Sequence, residues 1–194
     1  LGCYAEYACI SASDVICKMP ENLAYQQAAP VTGSAITVVN LLKRKARIQP
    51  NHHVLINGAS GALGTYAVQY AKIMGAHVTA VCSSANLELV KSLGADNAID
   101  YTQTDFTKNT DTYDIIFDTV GKLNYGKCKK SLVPKGIFVS SVAGGTLLLQ
   151  LIWTSLFTKK KVTFSATGML PVKTRLEYLE ELNELLKKNQ LRTV

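Results

Sequence analysis

The stretch His53-Val-Leu-Ile-Asn-Gly58-Ala-Ser-Gly61-Ala-Leu-Gly64-Thr-Tyr-Ala-Val-Gln-Tyr-Ala-Lys72 reads as a buried strand, a glycine turn and a helix that opens at the turn. Val54-Leu55-Ile56 is the continuous apolar run of a central parallel strand covered on both faces. Glycines at every third position let the backbone turn with no Cβ in the way. A helix beginning near Ala62 would offer its unpaired N–H groups and the positive end of its dipole to an anion, and a diphosphate suits that seat. The spacing departs from strict G-x-G-x-x-G, because Ala59 takes the first glycine slot. A strand before, a helix after and a second strand downstream nevertheless favour a dinucleotide-binding unit over a merely close-packed turn.

Working outward, strand and helix patterns alternate. Strands are predicted at 77–82, 97–100, 113–118, 136–141 and 162–165, and helices at 86–93, 123–132 and 173–188. The last carries a leucine stripe at Leu176, Leu179, Leu182 and Leu186. Upstream, helical patterns run through 24–29 and 35–42, the latter segment stopped by Pro50, and residues 4–10 and 15–18 read as two short strands. From Val54 on, six strands separated by helices predict an α/β fold, a Rossmann-type doubly wound six-stranded parallel sheet. The ligand then belongs at the carboxyl edge where the strand order reverses.

Composition sets outer limits. A chain of 194 residues, 47% hydrophobic and 18% charged, can bury a sizeable core. Five scattered cysteines, with no C-x-x-C pair and no zinc spacing, read as free thiols of a reducing compartment, and no signal peptide is visible. The expected location is cytoplasmic. The greasiest run, 146–157, is too short to span a bilayer; it reads as a buried helix of the same domain, with an interface cover as the alternative. The net charge of +7 is spread out, with dense runs only at 43–45 and 159–161. Neither nucleic acid nor membrane is expected as a partner.

The end of the second predicted strand indicates which dinucleotide. An NAD-preferring unit usually places an acid there for the adenine ribose hydroxyls. Here Val81-Cys-Ser-Ser-Ala-Asn86 has none, and its small polar side chains could bond a 2′-phosphate. NADP is therefore the expected cofactor. The same serines could also cap the next helix.

Several linked motifs resemble the medium-chain dehydrogenase/reductase family, specifically its zinc-free quinone oxidoreductase branch. They are Gly2-Cys-Tyr-Ala-Glu-Tyr7, Met19-Pro-Glu-Asn-Leu23, Asn57-Gly-Ala-Ser-Gly-Ala-Leu-Gly64, Gly75-Ala-His-Val-Thr-Ala-Val81, Leu93-Gly-Ala-Asp96, Ile99-Asp-Tyr101 and Phe117-Asp-Thr-Val-Gly121. The resemblance implies that residues 1–22 are the end of a GroES-like β domain that holds substrate. Residues 23–194 would form the NADP-binding Rossmann domain, truncated at its C-terminal end, so that the chain is expected to be part of a longer enzyme.

By the same resemblance, Thr37 would face the nicotinamide side of the cleft. Ser60, Gly61, Ala62 and Leu63 would present N–H groups to the diphosphate, with Gly64 completing the turn. Ser83, Ser84 and Asn86 would surround the 2′-phosphate, with Tyr101 near it. Val120 and Gly121, then Val139, Ser140 and Ser141, would pass under the ribose and nicotinamide; core packing is the alternative for Val120 and Val139. Zinc-dependent relatives place a cysteine ligand where this chain has Gly33, so no catalytic metal is expected. No ligand cluster is visible around His52, His53 or His77, and His52 and His53 are placed at the strand entrance.

The chemistry implied is hydride delivery from NADPH to a quinone or an α,β-unsaturated carbonyl, a small-molecule substrate whose own conjugation takes up the developing charge. Catalytic residues are not assigned. A homodimer through the edge strand at 162–165 is the implied assembly. A structural or regulatory cofactor-binding role, as in the zeta-crystallins, is the alternative class. A short-chain dehydrogenase reading, from Tyr125 and Lys129, places that pair too soon after the turn; both are expected on the exposed face of a short helix.

Overall fold

A computed structural model describes residues 5–108, 112–142 and 145–194, without the side chains of 145–148. Six strands, β1 (His53–Asn57), β2 (His77–Cys82), β3 (Asn97–Asp100), β4 (Tyr113–Asp118), β5 (Leu132–Ser140) and β6 (Lys161–Phe164), form one sheet in the order β3-β2-β1-β4-β5-β6. Every pairing is parallel. The order reverses between β1 and β4, which is the doubly wound arrangement with its crevice at the carboxyl ends of those two strands.

Among the described residues seven α-helices accompany the sheet: α1 (Tyr25–Ala28), α2 (Ile36–Val39), α3 (Ala62–Ile73), α4 (Leu87–Ser92), α5 (Tyr125–Cys128), α6 (Gly145–Phe157) and α7 (Val172–Lys187). Wider π-helical turns, Val31–Ala35 and Asn40–Lys45, extend α2 at both ends. Strand side chains alternate between two cores, as period-2 geometry requires. Val54, Ile56, Val78, Ala80, Ile115 and Phe117 face the core that α2, α3 and α7 cover. Leu55, Val81, Ile116 and Phe138 face the second, closed by Phe106, Tyr125 and Cys128. Burial on both faces is why β1 needs an unbroken apolar run.

Several expectations are corrected. Residues 5–10 and 15–18 form no strand, because a strand exists only where a neighbour takes its hydrogen bonds, and no described segment pairs with them. Tyr4 lies outside the described residues. Residues 17–22 instead lean on α7: Asn183 Nδ2 donates to Lys18 O at 3.2 Å, and Asn22 Nδ2 to Leu186 O at 3.2 Å. The helix expected over 123–132 shrinks to α5, and Pro134 lies inside β5 rather than before it. The register explains this: Tyr113 pairs with Leu132 but Ile115 with Ile137, so the extra residues of β5, Pro134 among them, bulge out of the ladder. The helical segment through α2 ends at Lys45, before Pro50, where Arg47 turns the chain with φ 52°.

Tyr125 is buried, edge-on to Phe138 at 6.1 Å, while Lys129 is exposed. The run read as a buried helix, α6, has most of its described apolar side chains in solvent. Cys9, Cys17, Cys82 and Cys128 are free thiols, and Cys3 lies outside the described residues. His53 and His77 begin β1 and β2 and stack with ring centroids 5.0 Å apart. Among the described residues no group of three metal-ligating side chains converges.

Candidate functional site

The crevice at the strand-order reversal is a cavity of about 570 Å³ lined by Gly58, Ser60, Gly61, Ala62, Leu63, Cys82, Ser83, Asn86, Tyr101, Thr119 and Val120. Its floor is the glycine turn. Gly58 sits at φ 78°, and a Cβ there would lie 2.4 Å from Val120 Cγ2. Gly64 has no room either: its Cβ would lie 2.1 Å from Gly58 O, so α3 packs backbone to backbone against the turn. Gly58 N and Ala59 N both donate to Val81 O at 3.0 Å, which ties the turn to β2.

Gly61 caps α3 in an extended conformation, and its own N–H donates to Gly58 O at 3.0 Å. Of the N–H groups expected to face a diphosphate, that of Gly61 is therefore already used. Those of Ala62, Leu63 and Gly64 precede the first intrahelical bond, Thr65 N to Gly61 O at 2.9 Å. These orphan donors, at the positive end of α3, make the mouth of the helix an anion seat.

A buried carboxylate organises the opposite wall. Asp118 ends β4 fully buried, and its Oδ1 accepts from Asn57 Nδ2 at 2.9 Å and Val120 N at 3.1 Å. Its Oδ2 accepts from Leu123 N at 2.9 Å. A buried charge is tolerated only with such partners, and here they hold the loop 119–123 in place. Thr119 adds a bond from its hydroxyl to Asn57 O at 2.8 Å, and Ser141 donates its N–H to Asp118 O at 3.0 Å. Sequence reasoning assigned no role to Asn57, Asp118 or Thr119. The signal was an acid closing the apolar strand Tyr113–Asp118, where only a satisfied carboxylate can sit.

At the other end, Ser83 and Asn86 line the cavity, with Asn86 Nδ2 donating to Ser83 Oγ at 3.2 Å. Tyr101 is tied to the β2 end through its N–H to Cys82 O at 3.1 Å, with its ring largely exposed. Ser84 turns away: its hydroxyl donates to Asp100 Oδ2 at 2.5 Å, and it does not line the cavity. Asp100 also accepts from the Thr102 hydroxyl at 2.7 Å and Thr102 N at 2.9 Å. The bond from Ser84, followed by those from Thr102, holds its carboxyl below the usual range. Burial first, then the charge of Asp100, pushes the Cys82 thiol up, so it lines the cavity as a neutral group.

Of the remaining predicted residues, Val120 lines the cavity, whereas Val139 is wholly buried in the core between Phe117 and Thr163. Ser140 donates its hydroxyl to Val142 O at 2.9 Å and Ser141 to Asp118 O at 3.2 Å, so both stitch strand ends. Gly121 sits at φ 78° in the loop under Val142. Thr37 donates back to Gly33 O at 2.9 Å and does not line the cavity.

A sequence family described as zinc-binding dehydrogenase matches residues 62–187. A chloroplastic quinone-oxidoreductase homolog from Spinacia oleracea is 31% identical over 205 residues, covering 100% of this chain and 60% of that protein. The mitochondrial NAD(P)H oxidoreductase RTN4IP1 of Mus musculus is 31% identical, covering 100% of this chain and 54% of that one. Among solved structures, the quinone oxidoreductase from Coxiella burnetii superposes with a TM-score of 0.83 at 28% identity, covering 98% of this chain and 57% of its own. The chain thus spans somewhat over half the length of these relatives.

Proposed function

Because the chain belongs to the medium-chain dehydrogenase/reductase family, in its quinone oxidoreductase branch, we propose that it is the cofactor-holding part of an NADPH-dependent reductase acting on a quinone or an α,β-unsaturated carbonyl. The observation that carries the reading is the glycine turn at the strand-order reversal. Gly58 and Gly64 close the turn, and Ala62 and Leu63, with their orphan N–H groups, line the cavity floor. The names of the relatives, one a quinone-oxidoreductase homolog and one an NAD(P)H oxidoreductase, support the same class of chemistry.

The residues present fit a dinucleotide. The α3 mouth takes the diphosphate, Ser83, Asn86 and Tyr101 flank the adenosine end, and the Thr119–Val120 loop forms the nicotinamide wall. When bound, the nicotinamide supplies the hydride. The protein's share is orientation and exclusion of water, with Asp118 positioning the loop from beneath. Zinc is not part of this proposal, since Gly33 replaces the expected cysteine ligand.

The preference for NADPH rests on the lining of the adenosine end, which contains no acid. Asp100 stands behind it and accepts hydrogen bonds from Ser84 and Thr102. The experiment is a binding titration of the full-length protein with both cofactors. NADPH should bind at least about tenfold more tightly than NADH, a difference of about 1.4 kcal/mol. Ser83→Asp should abolish that margin by setting a carboxylate against the 2′-phosphate. Equal affinities in the wild type would refute the preference.

A further inference from the structure

The end of β2 carries no acid, yet an acid stands one strand over. Asp100 closes β3 and aligns with Cys82, the last residue of β2. Its two carboxylate oxygens are divided between two duties. Oδ1 accepts from Thr102 N at 2.9 Å and from the Thr102 hydroxyl at 2.7 Å, the bonds of a local turn. Oδ2 faces Ser84 instead and accepts from its hydroxyl at 2.5 Å. The bond from Ser84 is the largest of the influences that hold the carboxyl below its usual range, so Asp100 is ionised at neutral pH.

This bond lies between residues that line the crevice. Ser83 precedes Ser84 and Tyr101 follows Asp100, and both line the cavity together with Cys82. The field of the carboxylate reaches that wall, since after burial it is the cause that raises the Cys82 thiol. No lysine or arginine is among the lining residues to offset it. Lys91, on the following helix α4, pairs with Glu88 at 3.3 Å. A serine hydroxyl has one proton to give. That of Ser84 goes to Asp100, which leaves only oxygen lone pairs, and a phosphate dianion cannot use them.

We propose that Asp100 is a positioning residue that sets the cofactor margin: it withholds the Ser84 hydroxyl from a 2′-phosphate and so limits how far NADPH outcompetes NADH. This rests on the reading of the crevice as a nicotinamide-cofactor site. A 2′-phosphate needs donors, and the carboxylate is an anion already seated on one of them. A free ribose hydroxyl brings no such charge, so NADH is indifferent to Asp100. A purely structural duty would be met by Oδ1 and the turn alone, and it predicts no difference between the two cofactors.

Asp100→Asn separates the two duties. The amide keeps an oxygen for Thr102 and turns its NH₂ toward Ser84, whose proton is then free. The test is calorimetric titration of the full-length protein with NADPH, NADH, adenosine 2′,5′-bisphosphate and adenosine 5′-monophosphate. Asp100→Asn should tighten NADPH roughly fivefold or more and leave NADH within about twofold. Adenosine 2′,5′-bisphosphate should gain by the same factor and adenosine 5′-monophosphate should not. Ser84→Ala should leave the wild-type affinities nearly unchanged, because its proton is already committed. Combined with Asp100→Asn, it should remove the gain. Asp100→Ala, which frees Ser84 but also gives up the Thr102 bonds, should shift the ratio in the same direction. An unchanged NADPH-to-NADH ratio in both Asp100 variants, an equal gain for both cofactors, or a gain that survives Ser84→Ala would each overturn the proposal. Equal binding of NADPH and NADH by the wild type would refute the preference itself, while the shift caused by Asp100→Asn still decides the role of Asp100.

Discussion

Gly61 and Gly64 stand three residues apart in one turn and are needed for different reasons. At Gly64 a methyl group would meet backbone atoms, Gly58 O at 2.1 Å and Ala59 Cα at 2.6 Å, which cannot rotate aside. Gly64→Ala should therefore cost about 2 kcal/mol or more, net of its gain in helix propensity. That corresponds to a fall in Tm of roughly 5 °C or more by thermal melting. At Gly61 the same methyl would make an ordinary contact, 3.4 Å from Gly58 O, at a φ of −82° that alanine accepts. Gly61→Ala should leave Tm within about 2 °C and yet weaken NADPH roughly tenfold, because the methyl stands at the mouth of α3. The glycine spacing is legible in the sequence; the division of labour within it is not, since it depends on which atoms lie opposite each Cα. Ser84 shows the same limit. It belongs to the right segment, but its hydroxyl is claimed by Asp100 from a strand whose register aligns Cys82 with Asp100.

At the level of elements, α6 and β6 are latched by one lysine. Lys161 Nζ donates to Thr154 O at 2.9 Å, Ser155 O at 3.1 Å and Thr158 O at 2.9 Å, the carbonyls that end the helix. A cation at a helix C-terminus satisfies orphan acceptors and complements the dipole. Lys161→Met should cost about 1 kcal/mol and lower Tm by roughly 2–4 °C. Hydrogen exchange should quicken in residues 154–158 while β1 and β4 stay protected. Elements with strong periodicity, β1, β2, β4 and α7, are legible at their own positions. Residues 123–132 mislead because a local helical pattern competes with a long-range pairing, and Leu132 joins Tyr113 in the sheet. The apolar run of α6 misleads in another way: hydrophobicity predicts that a face will be covered, not by what.

Across the whole molecule, Glu181 of α7 joins elements far apart in the chain. It accepts from Tyr70 Oη of α3 at 2.8 Å and from Lys43 Nζ, beyond α2, at 2.7 Å. Burial, then the hydrogen bond to Glu181, pushes the Tyr70 hydroxyl far above the ordinary phenol range. Tyr70→Phe should cost about 1–2 kcal/mol and lower Tm by roughly 2–6 °C, with NADPH binding unchanged in the same titration. By itself the sequence determined the doubly wound sheet, the place of the glycine turn and the family, because apolar period and glycine spacing are local and act through the backbone. Only the tertiary structure decided which N–H groups remain free, that Asp118 rather than a loop residue organises the loop 119–123, and that the apolar face of α6 points to solvent. Those outcomes depend on strand register and helix rotation, where one residue of slip exchanges inside for outside.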